Sequence, residues 1–498
     1  MDAIEQGGSI FTTEIQILRG VILQAQLLRK QYWCVVANPP YMGNKSMNSH
    51  LKNFAETNYP DSKSDLFSVF VEHIIRMTLK DGYIGLMSPF TWMFLSSHEK
   101  LRKKLLNEST LLSLVRPEYH AFFDSAYVPI CCFTLSRRVL FNYSGSFIDL
   151  TEFYGADLQP VKTLEAIFDP NCGYLYYAKP TDFAKIPGSP VAWISERELE
   201  AYSEGKILGS YSEPRKGLDT GYNDRFLRFW HETSIVNSSL SSDESISVSN
   251  TQLVKWFPYN KGGDFRKWYG NREYVINWRN DGQEIKSQLN NKTRKPTLRN
   301  QDYYFREGYT WTTVSSSKFS ARYTLNDSLF DNGGCTLFSG TNLHVIGNFL
   351  NSKIAQRYLD FISPTLNYQP GDISRILYKP LEDRDLEYKV SEKALTLVEF
   401  SRFDWDSFES SWDFQIHPLI KDRNVYQLSL AFSNWKTATD QTFQEVKRLE
   451  EENNRFWIEA YGLQDELTPE VPDDQITIRR ADRSRDIRSL ISYGIGCI

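Results

Sequence analysis

Several common site signatures are missing from this sequence. Its six cysteines form no C-x-x-C pair and its seven histidines are scattered singly, so a disulfide framework and a zinc site are not expected. No stretch reaches the roughly 18 apolar residues of a membrane span, and no basic segment followed by an apolar one resembles a secretory signal. We therefore expect a cytoplasmic protein with no bound metal and no membrane association.

An excess of basic residues is missing too. Lys and Arg number 57 against 62 Asp and Glu, for a net charge of -5, which at first argues against a nucleic-acid partner. Hydrophobic residues make up 41% and aromatic residues 14%, a globular composition that excludes global disorder. At about 150 residues per domain, the 498 residues favour about three domains.

The first part of the chain alternates helical and strand patterns. Apolar residues at helical spacing over 12–30 lead into Tyr32–Ala37, an apolar run stopped by two prolines and typical of a buried parallel strand. Further helical patterns alternate with short apolar runs, the helices over 65–79 and 96–107 and the strands over 83–87, 111–115 and 129–135. This order predicts a mostly parallel sheet in an α/β domain over 1–145.

The remaining chain has a different pattern of predicted elements and composition. Short strands, turns and aromatic residues follow position 145, and the chain becomes helical and acidic after about 386. We predict a connector over 146–205, a domain of mixed α/β character over 206–385 and a helical C-terminal region over 386–498.

The motif that carries chemistry is Asn38-Pro39-Pro40-Tyr41, directly after the first strand, where open α/β sheets bind their ligands. It suits methyl transfer to an amino group on a planar ring or amide, whose lone pair is delocalised. The Asn38 side-chain oxygen and the Pro39 carbonyl can each accept one amino hydrogen. Tyr41 offers a face for stacking an extruded base, worth about 1–3 kcal/mol.

A strand followed by Asn-Pro-Pro-Tyr resembles the catalytic motif of amino methyltransferases that use S-adenosylmethionine, most often on adenine in DNA. Around Asn38–Lys45 and Lys63–Phe67 the chain resembles the PglX family of adenine-specific DNA methyltransferases from BREX phage-defence systems. The resemblance implies a partial Rossmann-like methyltransferase sheet followed by a target recognition domain. It also implies that Asp65, Phe122 and Phe123 belong to the base pocket, although both phenylalanines fit ordinary core packing equally well.

The cofactor site is where the sequence departs from that family. The family holds S-adenosylmethionine with a strand and a glycine-rich turn upstream of the catalytic motif, and no such pattern precedes Asn38 here. Cofactor-binding residues are therefore unknown. We expect this chain to be the carboxyl-side part of a larger or split methyltransferase, with the other half as a partner beside further BREX components.

One region of the chain is strongly basic although the net charge of the whole chain is negative. Residues 255–322 hold 14 Lys and Arg against 6 Asp and Glu, together with 14 aromatic residues. Basic groups neutralise phosphates and aromatic rings stack on bases, so double-stranded DNA is the expected partner. The candidate DNA-binding residues are Arg225, Arg266, Lys267, Arg272, Arg279, Arg294 and Lys295.

Gly217-Leu218-Asp219-Thr220-Gly221-Tyr222-Asn223 precedes this region. It resembles the G-x-x-T-G-x-N entry of target recognition domains in restriction-modification enzymes. A nucleotide-binding turn is the alternative for its glycines, but the G-x-x-x-x-G-K-[ST] pattern is absent.

Two other functions compete with DNA adenine methylation, and cytosine methylation is set aside. Enzymes with the same tetrapeptide act on glutamine side chains or on RNA guanine, but they need no large basic aromatic domain. A cytosine carbon-5 methyltransferase needs a Pro-Cys nucleophile, and no cysteine here follows a proline. The non-enzymatic alternative is a DNA-recognition or assembly subunit whose cofactor half lies on another chain.

Overall fold

A computed structural model describes residues 12–122, 129–240, 254–315, 317–365 and 367–498. The chain divides into two compact units, one up to Leu199 and the other from Glu200 onward. The division falls inside a helix, α6 (Glu196–Glu204). None of the described helices is both long enough and apolar enough to cross a membrane. Among the described residues, no group of His, Cys, Asp and Glu is arranged to hold a metal ion.

The first unit is an α/β structure. Its strands are β1 (Tyr32–Ala37), β2 (Thr78–Pro89), β3 (Thr110–Arg116), β4 (Ile130–Ser136), β5 (Gly145–Asp149) and β6 (Leu175–Ala178). Its helices before α6 are α1 (Thr12–Arg29), α2 (Ser49–Asn58), α3 (Leu66–Met77), α4 (Glu99–Glu108) and α5 (Leu158–Phe168).

The six strands form one sheet in the order β1-β2-β4-β3-β5-β6. The pairs β1/β2 and β3/β5 are parallel. However, β4 runs antiparallel to both β2 and β3, and β6 runs antiparallel to β5. The α/β fold class is confirmed, but the sheet is mixed rather than mostly parallel. Apolar runs do not report strand direction, because a strand buried on both faces has the same composition in either direction.

Strand β1 differs from its expected surroundings. It is the edge strand of the described sheet, and Trp33 and Val36 are 66% and 77% exposed. The sequence predicted a buried strand, since the run is apolar. In the preceding helix α1, Ile17 and Leu28 are 64% and 70% exposed. The described residues therefore leave an apolar strand edge and an apolar helix uncovered.

The core of the first unit lies under helix α3. Asp65 caps this helix by accepting a hydrogen bond from the Phe67 backbone, which satisfies one of its free N–H groups. Phe67, Val71 and Ile75 lie on one face of the helix and are almost fully buried in a cluster with residues of the central strands. This packing fixes the start of α3 beside the end of β1.

The second unit contains short strands and eight helices in its described part, counted after α6. The strands are β7 (Lys206–Ile207), β8 (Glu213–Arg215), β9 (Leu227–Phe229), β10 (Trp256–Asn260), β11 (Tyr274–Asn277), β12 (Gly308–Trp311), β13 (Ala321–Thr324), β14 (Leu329–Phe330), β15 (Thr336–Phe338) and β16 (Leu377–Tyr378). The helices are α7 (Asn223–Phe226), α8 (Arg279–Lys286), α9 (Leu343–Leu350), α10 (Lys353–Ile362), α11 (Pro370–Arg375), α12 (Arg384–Asp406), α13 (Leu428–Ala460) and α14 (Arg483–Gly496).

Two four-stranded sheets organise this unit, in the orders β14-β10-β11-β9 and β13-β12-β15-β8. One core cluster contains Trp268 and Tyr269 together with Leu397 of α12 and Val446 of α13. The strand-rich part and the helical C-terminal part therefore share a core. The helical character after 386 is confirmed, whereas the four-part division of the chain stays a prediction.

Candidate functional site

The tetrapeptide Asn38–Tyr41 forms a loop directly after β1, called here the catalytic loop after the role that the sequence predicts for it. Pro39 is buried, whereas Asn38, Pro40 and Tyr41 are exposed. The Tyr41 hydroxyl donates a hydrogen bond to Asn38 Oδ1 at 2.9 Å. The Tyr41 ring meets the buried Phe67 ring edge-on, with 6.4 Å between centroids. The loop thus combines a fixed backbone with an Asn side chain that solvent can reach.

Asp65 anchors this loop. Its Oδ1 atom accepts hydrogen bonds from the backbone N–H of Met42 at 3.1 Å and of Phe67 at 3.2 Å. The Leu66 backbone N–H donates to the Met42 carbonyl at 2.9 Å, so the loop pairs with the segment that precedes α3. The contacts of Asp65 are those of a residue that positions the catalytic loop. Its membership of the base pocket stays a prediction.

The protonation states around the loop suit binding of an uncharged amino group. Burial, and to a lesser extent the thiols of Cys131 and Cys132, raises the pKa of Tyr41, so its hydroxyl remains a donor at neutral pH. Behind Phe67, burial and the Arg102 charge lower the pKa of His98 to about 4. The neutral imidazole lies 3.0 Å from the Ser68 hydroxyl and is buried. It therefore carries no charge near the loop.

Of the two phenylalanine candidates for the base pocket, only Phe122 lies within the described residues. Its side chain is 48% exposed, so it is not part of the core in this structure. Phe123 lies outside the described residues. Their part in base binding remains a prediction.

A cavity of about 690 Å³ opens beside the catalytic loop. It is lined by Gly43 and Asn44 of the chain that follows the motif and by three lysines, Lys45, Lys63 and Lys100. Lys100 lies 3.6 Å from Asp61 in an exposed ion pair. No role was predicted for these lysines, although Lys45 and Lys63 belong to the two segments that resemble the PglX family.

The second unit buries three of the predicted DNA-binding residues. Arg266 pairs with Asp404 at 2.7 Å and Lys267 pairs with Glu450 at 2.6 Å. Arg272 pairs with Asp327. All three cations are less than 9% exposed. A buried and paired cation does not reach a phosphate, so this structure supports a packing role for these residues.

The other predicted DNA-binding residues lie at the surface. Arg225, Arg279, Arg294 and Lys295 are exposed, and the carboxylate of Glu284 lies 4.0 Å from Arg225. The structure brings the segments of these residues together, because Asp219 and Thr297 pair as in an antiparallel sheet. The sequence reasoning missed the exposed Lys292 in the same basic stretch.

The glycines of the G-x-x-T-G motif serve close backbone approach. A Cβ atom at Gly217 would lie 1.9 Å from the Phe330 carbonyl oxygen, and one at Gly221 would lie 2.6 Å from the Arg294 carbonyl oxygen. Gly221 also has a φ of +68°. The Thr220 hydroxyl lies 2.6 Å from Asn223 Oδ1 and closes the turn. The absence of side chains at these two glycines therefore lets the motif pack directly against the backbone at Phe330 and Arg294.

Before Asn38, the described residues contain helix α1 and strand β1 and no strand followed by a glycine-rich turn. In the family that the motif resembles, the donor lies on a glycine-rich turn upstream of the catalytic strand. No described strand pairs with the free edge of β1, and the exposed Trp33 and Val36 lie on that strand. The residues present thus do not by themselves fit the cofactor.

Comparison with known sequences places these features in a family context. Residues 4–123 match the family model of the Eco57I restriction-modification methylase. The adenine-specific methyltransferase PglX of Lacticaseibacillus casei (strain Zhang) is 38% identical over 97% of this chain and 40% of its own length. The adenine-specific methyltransferase BrxX of Escherichia coli O9:H4 (strain HS) is 34% identical over 96% of this chain and 39% of its own length. The chain spans about two fifths of these relatives.

Among solved structures, the Type IIL restriction-modification enzyme MmeI in complex with DNA is similar with a TM-score of 0.51 at 10% identity. The match covers 89% of this chain and 56% of that enzyme. At this identity the likeness concerns the fold alone. Together the comparisons confirm the resemblance carried by the motifs: along nearly its whole length, this chain is similar to a part of the adenine-specific methyltransferases PglX and BrxX.

Proposed function

We propose that this chain forms the acceptor-binding and DNA-recognition part of a site-specific adenine DNA methyltransferase of a phage-defence system. The observation that carries the proposal is the exposed Asn38 amide at the end of β1, in a loop that Asp65 anchors to helix α3. The similarity to PglX and BrxX supports adenine as the acceptor. S-adenosylmethionine is the methyl donor of that class of enzyme.

The chemistry of this chain is the binding of the acceptor amino group. An amide oxygen has two acceptor positions, and the Tyr41 hydroxyl uses one of those on Asn38 Oδ1. The second position accepts one hydrogen of the adenine amino group, and the Pro39 carbonyl accepts the other. Because both hydrogens are held, the nitrogen lone pair is directed to one side of the ring. No side chain has to act as a general base before the methyl group is transferred.

Extrusion of the adenine from the duplex brings it to this loop. Tyr41 is 41% exposed and offers a ring face for stacking. The lysine-lined cavity beside the loop supports binding of the sugar-phosphate backbone on either side of the extruded base. We propose double-stranded DNA as the substrate and the cytoplasm as the compartment.

The uncovered edge of β1 supports the proposal that a strand from another chain segment pairs with it. An apolar strand with unpaired backbone groups is a template for another strand. We propose that the cofactor-binding half of the methyltransferase completes the sheet at this edge, and that other components of the defence system assemble with the complete enzyme. A non-catalytic recognition subunit remains the second candidate, favoured by the incomplete cofactor site.

Calorimetric titration with S-adenosylmethionine tests the cofactor half of this proposal. We expect no saturable binding to this chain alone, because no strand among the described residues pairs with the outer edge of β1. Binding should appear when the complementary half is present. Saturable binding by the isolated chain would contradict an incomplete site, and no binding in either case would favour the non-catalytic subunit.

The substitution Asn38→Ala tests the catalytic loop. In the complete enzyme we expect loss of adenine methylation by at least 100-fold, on the order of the effect of removing a preorganised polar group at a reacting centre. DNA binding, measured by fluorescence anisotropy, should persist. Asn58→Ala is the matched control, since the Asn58 side chain donates a hydrogen bond to the Phe54 carbonyl of its own helix α2 at 3.0 Å. Retained methylation in the Asn38 variant would contradict the assignment.

A further inference from the structure

Two loops of the second unit are joined into one exposed platform. The first loop is the G-x-x-T-G motif with Tyr222, and the second, called the basic loop, is Asn291–Thr297. Backbone N–H groups of Asp219 and Thr297 donate to each other's carbonyls at 2.9 Å and 2.8 Å. The missing side chain at Gly221 lets the Arg294 backbone approach the motif. These contacts fix the basic loop although most of its side chains are exposed.

Neighbouring residues hold both the backbone and the guanidinium group of Arg294. Asn291 Oδ1 accepts hydrogen bonds from the backbone N–H of Thr293 at 3.0 Å and of Arg294 at 3.1 Å. The guanidinium carbon of Arg294 lies 3.7 Å from the centroid of the Tyr222 ring. Tyr222 itself packs against the core cluster that contains Phe226 and Trp278. An exposed arginine is therefore ordered by a tyrosine that the core immobilises.

This arrangement favours contact with a base over contact with a phosphate. A phosphate accepts donors from many directions and is bound by a mobile lysine ammonium as well as by an arginine fork, so it does not require an ordered guanidinium. A guanine edge presents O6 and N7 in one plane, and a planar guanidinium matches it with two parallel hydrogen bonds. Stacking on Tyr222 orders the guanidinium before binding, which lowers the entropy cost of such a contact.

The neighbours of Arg294 have the opposite character. Lys292 and Lys295 flank it in sequence, and both are exposed. Long, flexible cationic side chains are suited to the phosphates on either side of a base contact. The basic loop thus combines one ordered planar group with two mobile charges.

We infer that Arg294, ordered by Tyr222, is a specificity-determining residue that reads a guanine edge in the major groove, while Lys292 and Lys295 contact the backbone. This inference rests on the proposed DNA recognition and deepens it by naming the residue that contacts a base.

Selection from a library of random-sequence duplexes tests the inference, because such a library contains every short target sequence. The wild-type protein should enrich one sequence that contains a guanine at the position read by Arg294. Arg294→Ala should lose the preference at a single base pair by about 5- to 150-fold and keep the preferences at the others. Arg294→Lys, which keeps the charge but not the planar fork, should lose it as well.

Two further variants control for charge and stacking. Arg306 is also exposed and lies over a tyrosine, 5.2 Å from the Tyr303 centroid, so Arg306→Ala removes the same groups elsewhere in the unit. It should leave the preference unchanged. Tyr222→Phe keeps the ring and should retain the preference, whereas Tyr222→Leu should weaken it.

The outcomes separate this inference from the proposed function. If the wild-type protein enriches no sequence, the proposed DNA recognition fails and the inference fails with it. If the wild-type protein enriches a sequence and Arg294→Ala leaves every preference unchanged, the inference alone is overturned. A uniform loss of affinity across all sequences, with a smaller salt dependence, would identify Arg294 as a phosphate contact and would also overturn it.

Discussion

Two basic segments of the second unit have similar composition and opposite environments. Arg266, Lys267 and Arg272 are buried and paired with carboxylates. Lys292, Arg294 and Lys295 are exposed on a loop about 20 residues further along the chain. In the first segment, the ion pairs of Arg266 and Lys267 join the strand-rich part of the unit to the helices α12 and α13. In the second, charge remains available to an external partner.

The difference follows from the cost of burying charge. A buried cation needs an opposite charge with good geometry, so Asp404, Glu450 and Asp327 are part of the same structural feature. The Trp268 indole N–H also donates to Glu450 at 2.8 Å, which adds a hydrogen bond to that pair. Charge counted over a sequence window therefore overstates the charge that DNA can reach. Substitutions of buried and of exposed charged residues test this difference.

Removing the carboxylate of Glu450 should have the largest effect on stability. Glu450→Ala leaves Lys267 buried without its partner, so we expect the free energy of unfolding to fall by about 3–5 kcal/mol. Urea denaturation followed by tryptophan fluorescence measures this. The control is Glu445→Ala on the same helix, because the Glu445 pair with Arg448 at 2.6 Å is exposed and should contribute at most about 1 kcal/mol. Equal losses in the two variants would contradict a special role for burial.

Neutralising the two exposed lysines should change DNA binding and leave stability nearly unchanged. For Lys292→Gln combined with Lys295→Gln, the slope of log affinity against log salt should decrease by about 1.8, since each phosphate contact contributes about 0.9. The free energy of unfolding should change by less than about 0.5 kcal/mol. Anisotropy titrations at several salt concentrations measure the slope.

The matched control for this pair replaces Lys389 and Lys436, which are exposed on α12 and α13, by Gln. This control should leave the salt dependence unchanged. An unchanged slope in the Lys292 and Lys295 variant, or an equal decrease in the control, would contradict the assignment of the basic loop to the DNA-binding surface.

Glu284→Gln should have the smallest effect. Its carboxylate lies 4.0 Å from the Arg225 guanidinium, and both side chains are about half exposed. Removing it should alter the free energy of unfolding by less than about 0.5 kcal/mol and raise DNA affinity slightly, because a negative charge leaves the surface beside Arg225. Thermal unfolding and anisotropy measure the two quantities. A large loss of stability would show that this exposed pair behaves like the buried ones.

Much of the first unit could be predicted from sequence. The strand before Asn38, the helix over Leu66–Met77 and the position of the catalytic loop follow from apolar periodicity and proline placement. The antiparallel direction of β4 could not be predicted, because a run buried on both faces has no directional signal. The anchoring of the loop by Asp65 was also missed, since that contact joins residues 23 positions apart.

In the basic region, burial could not be predicted from the sequence. Local composition identified residues 255–322 as basic and aromatic, whereas the close backbone approach at Gly217 and Gly221 is evident only from the structure. Burial of Lys267 depends on Glu450, which is 183 positions away. Lys267 and Lys295 each directly follow an arginine, so the charge pattern alone does not distinguish them.

By itself, the sequence determined the α/β class of the first unit and the similarity to adenine methyltransferases, and it predicted the chemistry of the catalytic loop, because motifs and periodicity are local properties. Only the tertiary structure decided which cations are paired inside, which arginine is stacked on Tyr222, and which strand edge is left uncovered. Burial and ion pairing depend on residues that are distant in sequence, and the free energy of a charge depends on what surrounds it.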